Sequence, residues 1–242
     1  MPPERPEAGA DPARSITLAG QAIPYRLRRS RRRSIGLTID HEGLRVGAPL
    51  HARLGDIEAL IRQHGQWVLA KLADWRARPR PPMLEAADGG MLTLFGEALT
   101  VTVRTASRTA WEISGNHLLL SVPAAVDPAR VLETAVREHA RRVLGERLAL
   151  HAPRLGAATP PLRMSSARTR WGSCNHRGGI TLNWRLAFLP PDVADYVVCH
   201  ELAHLREMNH GPRFWSIVES LCPNWRQLRI ELRRLGPGLP QP

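Results

Sequence analysis

Two histidines four residues apart, with a glutamate between them, are the residues of this sequence best suited to chemistry. His200, Glu201 and His204 form the pattern H-E-x-x-H. On a helix, positions i and i+4 lie on one face, so the two imidazoles can bind one metal ion. Zinc accepts imidazole ligands and keeps a coordination position open for water at catalytic sites. In this motif the glutamate is the general base for the metal-bound water, so the pattern predicts a zinc-dependent hydrolase with Glu201 as its catalytic residue.

The flanking residues place this motif near the end of a helix. Residues 190–192 read Pro-Pro-Asp, which is typical of a helix start. Residues 209–212 read Asn-His-Gly-Pro, which is typical of a helix end. Both histidines of the motif therefore fall in the last turns of the predicted helix, and a third histidine falls in the turn after it.

That third histidine, His210, is the predicted third metal ligand, because the chain turns there and can bring the ring back to the metal. Glu219, on the next predicted helix, is the alternative and would give a site of two histidines and one carboxylate. The spacing from His204 to His210 matches the metzincin pattern H-E-x-x-H-x-x-G-x-x-H. However, Glu207 replaces the glycine of that pattern, and no methionine follows Met208 to form a Met-turn. The sequence is therefore not that of an ordinary metzincin.

Further motifs surround the histidines in a characteristic order. Residues 170–174 read RWGSC, residues 179–186 read GITLNWRL, residues 195–198 read DYVV, and residues 209–215 read NHGPRFW. In this order the motifs resemble those of the YgjP-like zincins, a bacterial group related to the SprT-like and WLM metallopeptidases. The resemblance covers most of the chain, from about residue 20 to residue 235.

The resemblance implies a fold and a set of roles. The implied fold class is α+β, with a zincin-like catalytic domain in which the metal-binding helix packs on a mixed or antiparallel sheet, with an edge strand beside the site. In that family the three histidines, here His200, His204 and His210, hold the metal, and the glutamate, here Glu201, is the base. The activities assigned to the family include peptide hydrolysis and nucleotide hydrolysis, such as pyrophosphate release from UTP. Unlike some SprT-like relatives, this chain has only three scattered cysteines and no C-x-x-C pair, which excludes a four-cysteine zinc ribbon.

The composition is that of a soluble globular protein with a large positive charge. The 242 residues carry a formal net charge of +12, and 43% of them are hydrophobic. No run approaches the ~20 apolar residues of a membrane span, and the first residues lack the apolar segment of a secretory signal. Three scattered cysteines fit a reducing compartment better than a disulfide framework. We therefore expect a cytoplasmic protein that does not enter a membrane.

Arginines carry most of this charge, and they are densest between Arg26 and Arg33. A positive field of this kind favours anionic partners such as nucleic acid or phosphates. Few aromatic residues interleave the run, so base stacking on single-stranded nucleic acid is not indicated. A solvated strand face is the favoured interpretation, and nucleic acid is retained as a less favoured partner.

Three regions follow one another along the chain. Residues 1–15 are rich in proline, glutamate and alanine without periodicity and predict a disordered tail. Residues 16–125 contain several alternating apolar segments and one helical pattern, from Asp56 to Trp75, and predict a β-rich region with one helix. Residues 126–242 begin with a long helix started by Asp127-Pro128 and form the predicted catalytic domain. No internal repeat of fixed period is present.

The segment before the metal-binding helix is predicted to contact the substrate. Residues 163–170 and 180–189 are predicted to pair as strands, and an edge strand beside the metal can bind an extended peptide through its backbone. The candidate substrate-binding residues are Trp171, Ser173, Asn183 and Arg185. One of the last two, or Tyr196, is also a candidate donor to the developing oxyanion.

Three functions fit these observations. The favoured function is that of a metallopeptidase with a peptide or protein substrate and one catalytic zinc ion. The first alternative is a nucleotide pyrophosphatase that uses the same metal site, although no phosphate loop of the G-x-x-x-x-G-K type is present. The second alternative is a nucleic-acid-associated protein with a non-catalytic metal site, against which the intact Glu201 argues.

Overall fold

The computed structural model describes residues 14–40, 42–77, 84–167 and 169–240. It has a mixed α+β fold in two compact units, Met1–Arg80 and Pro81–Pro242. The predicted disordered tail lies outside the described residues except for Arg14 and Ser15, which begin the first strand. None of the described helices is both long and apolar enough to cross a membrane.

The first unit is one four-stranded sheet with two helices. Its elements are β1 (Arg14–Leu18), β2 (Gln21–Ser30), β3 (Gly36–Asp40), β4 (Gly43–Pro49), α1 (Leu54–Gln63) and α2 (Gly65–Ala77). The strand order is β1-β2-β4-β3, in which β2 and β4 run parallel and the two outer pairs are antiparallel. Alternate strand residues point into a hydrophobic core that the helices complete, as the period of a half-buried strand requires. The core includes Ile23, Tyr25, Leu27, Leu44, Val46, Ile57, Ile61 and Val68.

The single helix predicted between Asp56 and Trp75 is in fact two helices. α1 ends at Gln63, and α2 begins at Gly65. His64 lies between them, and its backbone angles of φ −97° and ψ 17° depart from those of a helix. Glycine has a low helix propensity, about 1 kcal/mol below alanine, so the helical pattern is weakest at this point.

The arginine run lies on β2 and on the loop that follows it. Arg26 forms an exposed ion pair with Glu42 at 3.0 Å. Arg29 donates to main-chain carbonyl oxygens of residues 49, 50 and 52 at 3.3, 3.3 and 2.6 Å. The guanidinium of Arg32 lies against the sheet over two paired glycines, where a β-carbon would collide with it. Several of these arginines therefore bind neighbouring segments of their own unit.

The second unit contains seven strands and four α-helices within its described residues. They are β5 (Met91–Leu94), β6 (Glu97–Thr105), β7 (Ala110–Ser114), β8 (His117–Val122), α3 (Pro128–His151), β9 (Leu162–Ser165), β10 (Gly172–Cys174), β11 (Ile180–Asn183), α4 (Pro191–Ala203), α5 (Pro212–Leu221) and α6 (Trp225–Leu235). Short 3-10 turns follow α3, β11 and α6 at 152–155, 184–188 and 236–238.

The first sheet of this unit repeats the topology of the sheet in the first unit. Its strand order is β5-β6-β8-β7, again with a central parallel pair between two antiparallel hairpins. These strands share one hydrophobic core with α3, in which Leu99, Leu118 and Leu120 join Leu132 and Val136. In the structure the boundary between the two units follows residue 80, whereas the sequence predicts a boundary after residue 125.

Two helices and a small mixed sheet support the histidines. α3 begins where the Asp127 side chain accepts a hydrogen bond from the amide of Ala129 at 2.9 Å, and it packs against α4. α4 is buried on almost every side, as an apolar helix inside a core should be. The small sheet has the order β10-β11-β9, with β11 antiparallel to β10 and parallel to β9. β10 is an edge strand of this sheet and contacts α4.

Candidate metal centre

Three imidazoles meet at the C-terminal end of α4. His200 lies in its last turn, His204 is the residue that follows the helix, and His210 lies in the connection to α5. One ring nitrogen from each residue lies within 4.8 Å of the others. The Nε2 atoms of His200 and His210 are 3.1 Å apart. Two nitrogens that bind one tetrahedral zinc ion at about 2.0–2.1 Å lie about 3.4 Å from each other, so the rings fit a shared ion.

The main chain orients one of these rings. Nδ1 of His204 lies 3.1 Å from the carbonyl oxygen of Glu207. A proton on Nδ1 is donated to this carbonyl, which leaves the lone pair of Nε2 free for a metal. The turn after α4 therefore selects the histidine tautomer that a metal site requires.

Two aromatic side chains of α5 fix the histidines in place. Phe214 is fully buried, and its ring centroid lies 4.9, 4.6 and 4.5 Å from those of His200, His204 and His210. Trp215 donates from Nε1 to the carbonyl oxygen of His210 at 3.1 Å. The connection that carries His210 is thus bound to α5 at both its ring and its backbone.

Burial keeps the imidazole rings of His200 and His204 neutral. Burial, followed by the neighbouring His204 and His210, lowers the pKa of His200 to about 3. Burial also lowers the pKa of His204. Neutral imidazole is the form that binds a metal, so these two residues need not lose a proton at neutral pH.

Glu201 is buried on the side of α4 that faces β10. Its exposed fraction is only 5%. Burial raises the pKa of this carboxyl from 4.5 to about 7, against the opposing effect of the Arg170 charge. A β-carbon at Gly172 would lie 2.5 Å from both Cγ and Oε1 of Glu201. The glycine of β10 therefore leaves the space that the carboxyl occupies.

We expect the Gly172→Ala variant to lose about 10- to 100-fold in hydrolytic rate, because displacing a catalytic group by roughly 1 Å can cost about 100-fold. Zinc binding should be retained, since the three atoms nearest to the new methyl group all belong to Glu201. The measurement compares kcat and zinc content with those of wild type. Gly145→Ala is the matched control, because a β-carbon there would make only an ordinary contact at 3.9 Å. Equal rates for wild type and Gly172→Ala would show that this space is not needed.

The raised pKa of Glu201 should make the unfolding free energy of the metal-free protein depend on pH. The folded state holds the proton of this carboxyl up to about pH 7, whereas an ordinary carboxyl loses it near 4.5. The unfolding free energy of wild type therefore falls, relative to Glu201→Gln, as the pH rises from 4.5 to 7, and the difference is constant above that range. The expected change is about 2–4 kcal/mol at roughly 1.4 kcal/mol per pH unit. Urea unfolding of both proteins with chelator at pH 4.5, 6 and 8 measures it, and parallel profiles would contradict it.

The edge strand presents backbone groups on its unpaired side. The amide of Asn183 donates to the carbonyl of Trp171 at 2.8 Å, and the amide of Asn175 donates to that of Gly179 at 3.0 Å. Because hydrogen-bonded pairs alternate in an antiparallel ladder, the N–H and C=O groups of residues 172 and 174 point away from β11. Among the residues that the structure describes, no strand pairs with β10 on that side.

The four candidate substrate residues separate into two pairs. Trp171 and Ser173 lie on or beside β10 and are partly exposed. Asn183 is fully buried and donates from Nδ2 to the carbonyl oxygens of residues 167 and 170 at 2.7 and 3.2 Å. Arg185 is 5% exposed and donates to the same carbonyl of residue 167 at 2.8 Å. These two buried side chains hold the segment before β10 in position, and a role for either of them in substrate binding stays a prediction.

Glu219 and Tyr196 are the other two residues for which the sequence suggests a role at the site. Glu219, the alternative third ligand, is exposed and pairs with Arg226 at 2.7 Å, so the geometry brings His210 and not Glu219 to the other histidines. Tyr196 is 4% exposed, and its ring lies 6.0 Å from that of His200. Gly172 is a further residue of the site that the motifs alone do not indicate, although an isolated glycine in a strand is a signal of close approach.

Comparison with known proteins gives a family and a distantly similar solved structure. The sequence matches the YgjP-like metallopeptidase domain over residues 33–235. A search of curated proteins gives no match. Among solved structures, the chain is similar to the metallopeptidase zymogen abylysin of Pyrococcus abyssi, at 22% identity and a TM-score of 0.31 over 44% of this chain and 97% of that one.

Proposed function

Because the chain belongs to the YgjP-like metallopeptidase domain family, we propose that it is a zinc-dependent peptidase of the H-E-x-x-H type with a zincin-like catalytic domain. Membership of this family identifies the chain as a metal-dependent hydrolase of the peptidase type, which acts on peptides or proteins. His200, His204 and His210 would hold one zinc ion, and Glu201 would be the general base. The observation that carries the proposal is the meeting of three imidazole nitrogens with a buried carboxyl beside an unpaired strand edge.

The residues of the chain have separate tasks in this proposal. When bound, zinc would lower the pKa of a water molecule towards about 7 and would polarise the substrate carbonyl. Glu201 accepts a proton from the attacking water at its carboxylate and delivers it to the leaving nitrogen of the peptide. Burial raises the pKa of this carboxyl and so favours the protonated form that delivers the proton to the leaving nitrogen. Gly172 keeps the space for this carboxyl.

Substrate binding follows from the edge strand. An extended peptide adds to β10 by pairing with the outward N–H and C=O groups of Gly172 and Cys174. Backbone pairing requires no particular side chain, so it holds the peptide beside Glu201 without fixing its sequence. Trp171 and Ser173 are the nearest side chains for further contacts on this strand.

Hydrolysis of a peptide library in water enriched in oxygen-18 tests the proposal. Zinc-loaded wild type should produce new peptide ends in which the new carboxyl group carries the isotope, as detected by mass spectrometry. Chelator should stop the reaction, and added zinc should restore it. UTP is incubated in parallel as a test of nucleotide hydrolysis. Pyrophosphate release from UTP with no peptide cleavage would contradict the peptidase assignment.

A further inference from the structure

One cationic side chain near the histidines is held rigidly by aromatic stacking. Trp215 stacks on Trp225 with ring centroids 4.2 Å apart and planes at 15°. The guanidinium of Arg229 lies over the Trp215 ring, 5.1 Å from its centroid. The same ring is 5.8 Å from the ring of His200 and 6.0 Å from that of His210. The guanidinium and two of the candidate metal ligands therefore lie against the same aromatic ring.

Arg229 has no acidic partner within the described part of the chain, although it is only partly exposed. The one acid of α5 and the one acid of α6 are already paired. Glu219 binds Arg226 at 2.7 Å, and Glu231 lies 3.7 Å from Arg234. Burying part of a cation without a counter-ion costs desolvation free energy. Binding of an anion beside the cation offsets this free energy.

The helix that carries Arg229 is strongly positive. α6 contains four arginines, Arg226, Arg229, Arg233 and Arg234, and a single acid, Glu231. This helix packs against α4, which carries His200. The charge on the side of α6 that faces the candidate metal centre is therefore positive.

We propose that Arg229 is a specificity residue that binds a carboxylate of the peptide substrate close to the bond that is cut. This inference rests on the proposed peptidase function and adds a substrate class to it, namely peptides with an acidic side chain or a free C-terminal carboxylate at that place. A guanidinium presents two parallel donors that match a carboxylate. Stacking on Trp215 fixes its plane in advance, so less conformational entropy is lost when the substrate binds.

Arg226 provides a matched control on the same helix. Its guanidinium also stacks on a tryptophan, 4.6 Å from the ring of Trp225. It differs from Arg229 in being exposed and neutralised by Glu219. Arg226→Gln removes a stacked arginine without removing the unpaired charge.

The test uses zinc-loaded full-length protein and three peptides that differ in a single charge. One has blocked ends and glutamine beside the scissile bond, the second has glutamate in place of that glutamine, and the third has glutamine with a free C-terminal carboxylate near the bond. Wild type should favour one of the two carboxylate peptides over the blocked glutamine peptide by 10- to 100-fold in kcat/KM. The peptide that is favoured distinguishes a side-chain carboxylate from a terminal one.

Arg229→Gln should reduce kcat/KM for the favoured peptide at least tenfold more than for the blocked glutamine peptide, at unchanged zinc content. Arg226→Gln should keep the wild-type preference. Cleavage of all three peptides at equal rates by wild type, or an equal loss on all three in Arg229→Gln, would overturn the inference and leave the peptidase function intact. If no peptide is cleaved, the peptidase function fails. Binding of the same peptides to wild type and Arg229→Gln, measured by fluorescence anisotropy, then still decides whether Arg229 recognises a carboxylate.

Discussion

Replacing Glu201 with glutamine should lower kcat by about 10²- to 10⁴-fold, the range expected for loss of a general acid–base group. Glutamine has nearly the same size as glutamate and fits the space beside Gly172, but it cannot accept the proton of the attacking water. None of the three histidine ring nitrogens depends on this side chain, so zinc should remain bound at one equivalent. Steady-state kinetics and metal analysis of the same preparations measure both quantities.

Glu201→Asp separates the need for a carboxylate from the need for its position. Aspartate keeps the acid but withdraws it by about one bond length, so we expect activity between those of wild type and Glu201→Gln. A fully active Glu201→Gln protein would show that another group is the base. Loss of zinc from Glu201→Gln would instead show that the carboxyl contributes to the metal site.

The His210→Ala variant should lose zinc affinity by at least about 100-fold and lose its hydrolytic activity with it. Replacement of groups that only support a ligand already costs about 10- to 100-fold in metal affinity, so removal of a ligand should cost at least as much. The Nε2 atom of His210 lies 3.1 Å from that of His200. Competition with a zinc chelator of known affinity provides the measurement.

Glu219→Ala is the control for this prediction, because Glu219 is the other residue that the sequence offered as third ligand. Its carboxylate is exposed and paired with Arg226. We expect its removal to leave zinc affinity within about threefold of wild type, as for other changes to exposed ion pairs. The reverse result, with zinc lost from Glu219→Ala and kept by His210→Ala, would exchange the two assignments.

Features that depend on neighbouring residues were predictable from the sequence. The motif from His200 to His204 lies at the end of a helix that begins after Pro190, as its flanking prolines indicate. Asp127 and Pro128 start the long helix that supports it. In both cases the signal is local. The sequence also predicts paired strands at residues 163–170 and 180–189, of which 162–165 and 180–183 do pair, but β10, the edge strand in contact with α4, lies between them.

Features that depend on distant segments were not predictable in the same way. Asn183 and Arg185 have polar side chains that suggest exposure, but carbonyl groups near residue 167 satisfy them inside the protein. The two four-stranded sheets share a topology without a repeat in the sequence, because many apolar sequences satisfy one pattern of alternation. The stack of Arg229 on Trp215 joins two helices and depends on how they pack, which periodicity within each helix does not determine.

Diffraction from zinc-loaded crystals, recorded on both sides of the zinc absorption edge, locates the metal ion itself. We expect one anomalous peak, located about 2.0–2.2 Å from a ring nitrogen of each of His200, His204 and His210. We also expect the carboxyl of Glu201 to lie near the peak without being one of the three protein ligands. A peak held by other residues, or no peak at the histidines in protein saturated with zinc, would show that these three histidines are not the metal site.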